Sequence, residues 1–283
     1  MSPAKGPTLR AQWLGRRLRE YRERAGLTLS QTGEYLQRDK ATVSRIEAGI
    51  IPCRSADAMA LLNLYGVDDP RVRDGIDRLS RDIWCKGWWD DYESESDTKI
   101  IDHAWLEARA QGMRVFHMTV FPGLLQTEDY ARAVMRAAVP DMAEDRIEPW
   151  VEFRMNRQRI LERSEPLILD VVLDEAVLRR FTDKGVMRRQ LRHLGEMARR
   201  PHVDIRILPF SAGPHASPES PFAILDMVEP YPVAVQVEMR TSAVYLEGRD
   251  VDVYDRSYAY LKAAALSPEE SREMIESVAE SLL

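Results

Sequence analysis

The chain has 283 residues, 45% of them hydrophobic, and a formal net charge of −6. That apolar fraction is that of a folded protein, long enough for two ordinary domains or one large one, and it excludes a disordered chain. No run of about 18 apolar residues occurs, which excludes a membrane-spanning helix.

The charge is unevenly placed. Residues 1–54 hold eleven Lys/Arg against five Asp/Glu, net +6, while the remainder holds 29 against 41, net −12. A basic head on an acidic body points to nucleic acid for the head. The opening MSPAKGPTLRAQWLGRRL lacks the apolar core of a secretory signal. Cys53 and Cys85 are far apart, and the five histidines are scattered. Neither set has metal-ligand spacing, so the expectation is a reduced, cytoplasmic protein without metal or cofactor.

In AQWLGRRLREYRERAG, Leu14, Leu18 and Tyr21 recur at helical spacing between Arg16, Arg17, Arg19, Arg22 and Arg24. Gly26 ends that helix where a left-handed cap belongs. Thr28 and Gln31 of TLSQ form a capping box for a short helix from Leu29 to about Leu36. Gly33 lies inside it at a cost of about 1 kcal/mol relative to Ala. A glycine at that place predicts another backbone close by. Asp39 then reads as the cap of a third helix starting at Lys40.

Two short helices meeting across Gln37, Arg38 and Asp39 make a helix-turn-helix, with KATVSRIEAG as its second helix. At 100° per residue Val43 and Ile46 share the inner side. Ala41, Ser44 and Arg45 share the outer one, flanked by Lys40 and Thr42. A helix entering a major groove needs small side chains for close approach, hydroxyls for phosphates, and Arg or Lys for guanine edges. The outer side has all three.

GLTLSQTGEYLQRDKATVSRIEAG resembles the Cro/C1-repressor (XRE-type) helix-turn-helix, above all through TVSRIEAG, and the resemblance covers about residues 10–80. It implies a five-helix domain. RSADAMALLNLYG would be the fourth helix, capped by Ser55, and DPRVRDGIDRLSRD the fifth, with Asp69 as cap and Pro70 in the first turn. Carried over by position, Lys40, Ala41, Ser44 and Arg45 would face bases and Thr42 a phosphate. Arg16, Arg17, Arg38 and Arg54 are candidates for steering along the DNA backbone. Leu29 stands where such repressors often carry a DNA-contacting Gln, leaving Gln31 as the nearby candidate. Gln37 and Arg38 replace the usual Gly and apolar residue of the turn.

CKGWWDDYESESDTK breaks the composition and marks a linker over 84–97, between a head at 1–83 and a second domain at 98–283. Its large aromatics predict docking of Trp84, Trp88, Trp89 or Tyr92 on a partner surface, within the chain or across a dimer. Beyond it TKIIDHAWLEARAQG reads as a helix and MRVFHMTVF as a strand stopped by Pro122 and Gly123. Thr127 caps EDYARAVMRAA, and a long helix covers about 144–163. PLILDVVL reads as a buried strand, followed by helices at about 174–181 and 185–199. VDIRILPF, FAILDMV, VAVQVEM and AVYLE read as strands, the last two joined by the turn RTS. Helices at about 250–265 and 268–281 close the chain, the last with a capping box of Ser267 and Glu270. The expected class is an all-α head followed by an α+β domain with a small helix-covered sheet.

FPGLLQTEDYARAV, RQRIL, VVLDEAVLRR, LPFSAGPHASPESPFAIL, AVYLE and LSPEESREMI resemble the uncharacterised α+β domain that follows an XRE-type head in many actinobacterial regulators. The resemblance implies regulators of development and secondary metabolism, often encoded beside a small acidic partner protein. It implies no known ligand and no catalytic set.

Chemistry has few candidates. Asp170, Asp174 and Glu175 could be paired acids, but acids placed so more often cap a helix. The loop SAGPHASPES holds Ser211, His215 and Ser217, read as a surface or lid element where a ligand or partner would touch. No nucleophile elbow or phosphate-cradling loop is present. The expected function is a homodimeric transcription regulator on double-stranded DNA, whose second domain senses a ligand or small protein. Two alternatives remain open: an antitoxin-like adaptor that sequesters a small neighbouring protein, and an enzyme with a DNA-targeting head.

Overall fold

A computed structural model describes residues 6–92, 98–180, 183–239 and 242–282. Residues 93–97 of the expected linker and residues 240–241 of the expected RTS turn lie outside it, as does Phe181 at the end of one expected helix. By contact density the chain divides into two units. The first takes the residues up to Leu106 together with Val228–Pro232. The second takes Glu107–Met227 and Val233–Leu283.

The first unit contains α1 (Leu9–Arg24), α2 (Leu29–Leu36), α3 (Lys40–Glu47), α4 (Ser55–Leu64), α5 (Pro70–Asp82) and most of α6 (Thr98–Arg109). The apolar stripes explain the packing: Leu14, Leu18, Val43, Ile46, Leu61, Leu62, Ile76 and Leu79 are all buried. Gly26 is left-handed (φ +69°) just past α1, as its position predicts. Asp69 caps α5 by accepting from the Arg71 N–H at 2.8 Å, with Pro70 in the first turn. Ser55 does not cap α4. It is the first helical residue, and its hydroxyl bonds the Asp77 carboxylate instead, leaving the cap position to Arg54 with no side-chain bond. A 3-10 turn, Trp88–Tyr92, follows α5.

The second unit is built on a mixed six-stranded sheet. Its strands are β1 (Ala110–His117), β2 (Ile168–Asp174), β3 (Val203–Leu208), β4 (Phe222–Met227), β5 (Ala234–Met239) and β6 (Ser242–Leu246), in the order β3-β2-β1-β4-β5-β6. β1, β2 and β3 run parallel, joined by crossovers through α7 (Glu128–Ala138) and α8 (Glu144–Gln158), then α9 (Glu175–Arg179) and α10 (Lys184–Met197). The β1/β4, β4/β5 and β5/β6 pairs are antiparallel. α11 (Arg249–Ala264) packs Tyr258 and Leu261 on one sheet face, against Phe116, Val172, Phe222 and Ile224. α12 (Pro268–Glu280) packs on α10 and β3, opened by the expected capping box of Ser267 and Glu270.

β1 ends at His117, short of the Pro122 stop that the sequence predicts. The ladder explains why. Beyond the pair His117 with Leu173, β2 reaches Asp174 and turns into α9, and β4 begins only at Phe222, opposite Phe116, so no partner remains. The long helix expected to 163 stops at Gln158 and tightens into a 3-10 turn, Arg159–Leu161.

The connection between β4 and β5 is the stretch 228–232 that belongs to the first unit. Tyr231 is buried there, its ring 5.2 Å from that of Trp105 and 6.0 Å from that of Trp13. Its hydroxyl bonds the Asp82 carboxylate, and Arg78 donates to the Glu229 carbonyl at 3.0 Å. Among the described residues no helix is long and apolar enough to cross a membrane.

Candidate nucleic-acid interface

The two helices of the helix-turn-helix, α2 and α3, are each started by a side-chain cap. Thr28 and Gln31 close the expected capping box: the Gln31 Oε1 accepts from the Thr28 N–H at 2.9 Å, and Thr28 Oγ1 accepts from the Gln31 N–H at 3.3 Å. Gln37 takes the left-handed conformation (φ 55°, ψ 43°) that glycine usually supplies. The Arg38 N–H then reaches back to the Gly33 carbonyl at 2.8 Å. A Cβ on Gly33 would stand 2.7 Å from the Arg38 carbonyl oxygen, so the returning backbone is the close neighbour that this glycine predicts. Asp39 accepts from the Thr42 N–H at 2.6 Å and starts α3. That bond, above all, holds the Asp39 carboxyl below its usual range.

α3 divides as its periodicity requires. Val43 and Ile46 are buried, Lys40, Ala41, Ser44 and Arg45 are exposed, and Thr42 is half-buried. Arg45 lies back along its own helix through two long bonds, Nε to the Ala41 carbonyl at 3.4 Å and Nη2 to Thr42 Oγ1 at 3.3 Å. Bonds that long and exposed give way readily to a better acceptor.

Arg22 and Gly15 of α1, with Glu47 at the end of α3, set the position of α3 and were not singled out as site residues from sequence. Arg22 of α1 meets Glu47 in a two-pronged pair, Nε–Oε1 2.6 Å and Nη2–Oε2 2.9 Å, with both residues buried. The bonds to Glu47 raise the Arg22 guanidinium above its usual value. Gly15 lets α1 lie directly on the end of α3, where a Cβ would stand 2.4 Å from the Glu47 carbonyl oxygen. The sequence signal for this clamp is that Arg22 falls on the apolar side of α1, in line with Leu14 and Leu18, a place it shares only with Arg10 among the arginines of that helix.

The remaining candidates are spread over other elements. Arg38 is exposed in the turn. The Gln31 carbonyl oxygen is committed to the cap, leaving only its NH₂ for a phosphate. Arg54 precedes α4 with its guanidinium 5.9 Å from the Trp84 ring centre. Arg16 and Arg17 are exposed on α1; Arg17 pairs with Glu20 at 3.6 Å and lines an open cleft of about 700 Å³ with Tyr21, Arg71, Arg78 and Tyr231. Trp88 stacks edge-on with Trp89 at 5.8 Å and Tyr92 at 6.2 Å; Trp89 is buried and Trp84 exposed.

In the second unit the loop after β3 uses its polar groups on itself. The buried Ser217 donates from Oγ to the Ser220 carbonyl at 3.0 Å, and His215 Nδ1 accepts from the Ser217 N–H at 3.3 Å. His215 stacks edge-on against Phe116 at 5.3 Å, with Nε2 4.0 Å from Asp174. Asp174 caps α9, accepting from the Ala176 N–H at 2.7 Å, and Glu175 takes the Phe210 N–H at 3.0 Å. Asp170 pairs with Lys262, which also reaches Asp204 at 3.2 Å. These acids hold helices and loops in place.

The FPGLLQT stretch is held the same way. Gln126 donates to the Phe121 carbonyl at 2.6 Å, Gln158 to the carbonyls of Gly123 and Gln126 at 2.8 and 2.7 Å, and Gln190 to that of Leu125 at 2.6 Å.

Comparison with known families matches residues 13–74 to a helix-turn-helix domain and residues 100–277 to a domain of unknown function (DUF5753). Comparison with curated proteins and with solved structures gives no match.

Proposed function

The chain belongs to the DUF5753 family and carries a helix-turn-helix domain ahead of the family domain, and from this we propose that it is a DNA-binding transcription regulator. The observation that carries the reading is α3: its apolar back is buried, its cap is in place, and Lys40, Ala41, Ser44 and Arg45 stand exposed together. α3 lies in the major groove with Arg45 and Lys40 on base edges or phosphates, and Thr42 near a phosphate. Gln31, Arg38, Arg54, Arg16 and Arg17 are assigned to the DNA backbone.

The finer reading is a head of the Cro/C1 (XRE) type in an actinobacterial regulator that works in the cytoplasm, at the nucleoid when bound to DNA. The five helices and the left-handed Gly49 after Glu47 (φ +72°) support the head type. Residues 1–83 read DNA, 84–97 link, and 98–283 dimerise and sense a ligand or a small acidic protein. His215, Ser217, Trp88 and Trp89 are assigned to that second role. One head makes few contacts, so two copies read half-sites about one helical turn apart.

Selection of DNA from a random pool tests the proposal. Enrichment of a two-fold symmetric site is expected, with affinity falling steeply as salt rises. Arg45→Ala should cost about 1–3 kcal/mol on that site and relax one base position. An equal loss on every sequence would make Arg45 a phosphate contact, and no enrichment at all would overturn the regulator.

A further inference from the structure

Most arginines inside the second unit have a carboxylate or carbonyl of their own. Arg157 of α8 meets the buried Glu107 through two bonds of 2.7 Å, and Arg163 donates to the carbonyls of Ala108 and Ala110 at 2.8 Å. Arg154, one turn before Arg157, differs. Its one hydrogen bond among the described residues goes from Nη1 to a neutral acceptor, Gln126 Oε1, at 2.7 Å. Among the described residues no carboxylate lies within ion-pair distance of it.

Arg154 is half-buried, and a guanidinium that loses part of its water without gaining an anion is only partly compensated. Burial, with Arg157 nearby, pushes the Arg154 guanidinium down to about 10. His117, at the end of β1, lies within its electrostatic range, and the buried His117 Nδ1 has no hydrogen-bond partner among the described residues. Burial lowers His117 as well and so favours the neutral ring, which can carry a proton on Nδ1 to donate.

The register puts His117 and Glu238 on one face of the sheet. Val115 stands opposite Ala223, Ala223 opposite Gln236, and Gln236 opposite Tyr245. His117 and Glu238, two residues along their strands from Val115 and Gln236, point to that same side. Glu238 is exposed at the rim and lies within electrostatic range of Arg154 and Arg157.

We infer that Arg154 and His117, beside Gln126, form a binding site for an oxyanion, a carboxylate or phosphate carried by a small molecule. The anion supplies the charge that Arg154 lacks and accepts from the free guanidinium N–H groups and from His117 Nδ1. Glu238 at the rim opposes it. The inference gives the proposed sensing role a place, and rests on that role only for its use in regulation.

Calorimetric titration and thermal unfolding of the full chain, with inorganic phosphate and separately with acetate, test the site without DNA. Failure here therefore leaves the regulator reading standing, and failure of the DNA selection leaves this site standing. Wild-type protein should bind at least one of the two anions and unfold at a higher temperature with it; which one binds identifies the source. Loss of a charge-assisted contact in Arg154→Met should weaken binding about tenfold or more. Without anion, Arg154→Met breaks no ion pair but leaves the buried Gln126 Oε1 without its donor, so it should unfold earlier than wild type. Glu238→Gln should bind more tightly, and it decides the matter if Arg154→Met does not fold. No binding to wild type, equal binding to Arg154→Met, or no change in Glu238→Gln would overturn the site.

Discussion

Among the described residues Lys40 and Arg45 on the outer side of α3, and Arg154 on α8, have no carboxylate partner, but the two cases are opposites in cost. Lys40 and Arg45 are exposed, so water solvates them and folding is indifferent to their charge. Arg154 is half-buried and bonded only to a neutral amide, so its charge is kept with part of its water removed. Arg22 stands between the two cases: it is as buried as a core residue, and Glu47 pairs it on both prongs. An unpaired cation therefore points to a binding partner in both regions for different reasons. On α3 the reason is availability, and on α8 it is an unmet charge.

The comparison breaks most visibly at Glu47. Glu47→Ala leaves Arg22 buried with its main partner gone, and should destabilise the protein by about 3 kcal/mol in denaturant unfolding; a loss under about 1 kcal/mol would mean the pair is solvated after all. Gly33→Ala comes next. The helix gain of about 1 kcal/mol is overwhelmed by a methyl pressed on the Arg38 carbonyl, for a net loss of about 1–3 kcal/mol; a stabilised variant would show that the turn gives way.

Lys40→Ala and Arg45→Ala should each change stability by no more than about 0.5 kcal/mol while DNA affinity falls. A stability loss as large as that at Glu47 would put these cations in the framework instead.

The smallest effect is a pH dependence at Asp39. Its folded carboxyl titrates below the unfolded value, because the Thr42 N–H bonds the charged form. The cap's contribution is therefore complete above the unfolded value and is lost as pH falls through the folded one. Carboxyl NMR should place Asp39 below its usual range, and exchange of the Thr42 amide should quicken on acidification. Asp39→Asn should remove that dependence.

Local structure was legible where one residue type has one physical use. Both capping boxes, the left-handed Gly26 and the close backbone at Gly33 follow from spacing and sterics alone. The outer side of α3 follows from a 100° step. Whatever depends on distant partners was hidden. Ser55 has the chemistry of a cap, but Asp77, a helix away, takes its hydroxyl. The end of β1 depends on where β2 and β4 stop. Arg154 and Arg157 are three apart on one helix and look alike in sequence; only the fold gives Glu107 to one and Gln126 to the other.

Tyr231 has a consequence for anyone who isolates the DNA-reading head. A fragment ending at Leu106 is continuous in sequence yet lacks the phenol ring that lies on Trp13 and Trp105, and Asp82 loses the hydroxyl it accepts from. Such a fragment brings bare indole to water at the root of α1. Tethering residues 228–232 to it as a short peptide would restore the missing lining, because that helical module is encoded in two separated stretches of the gene.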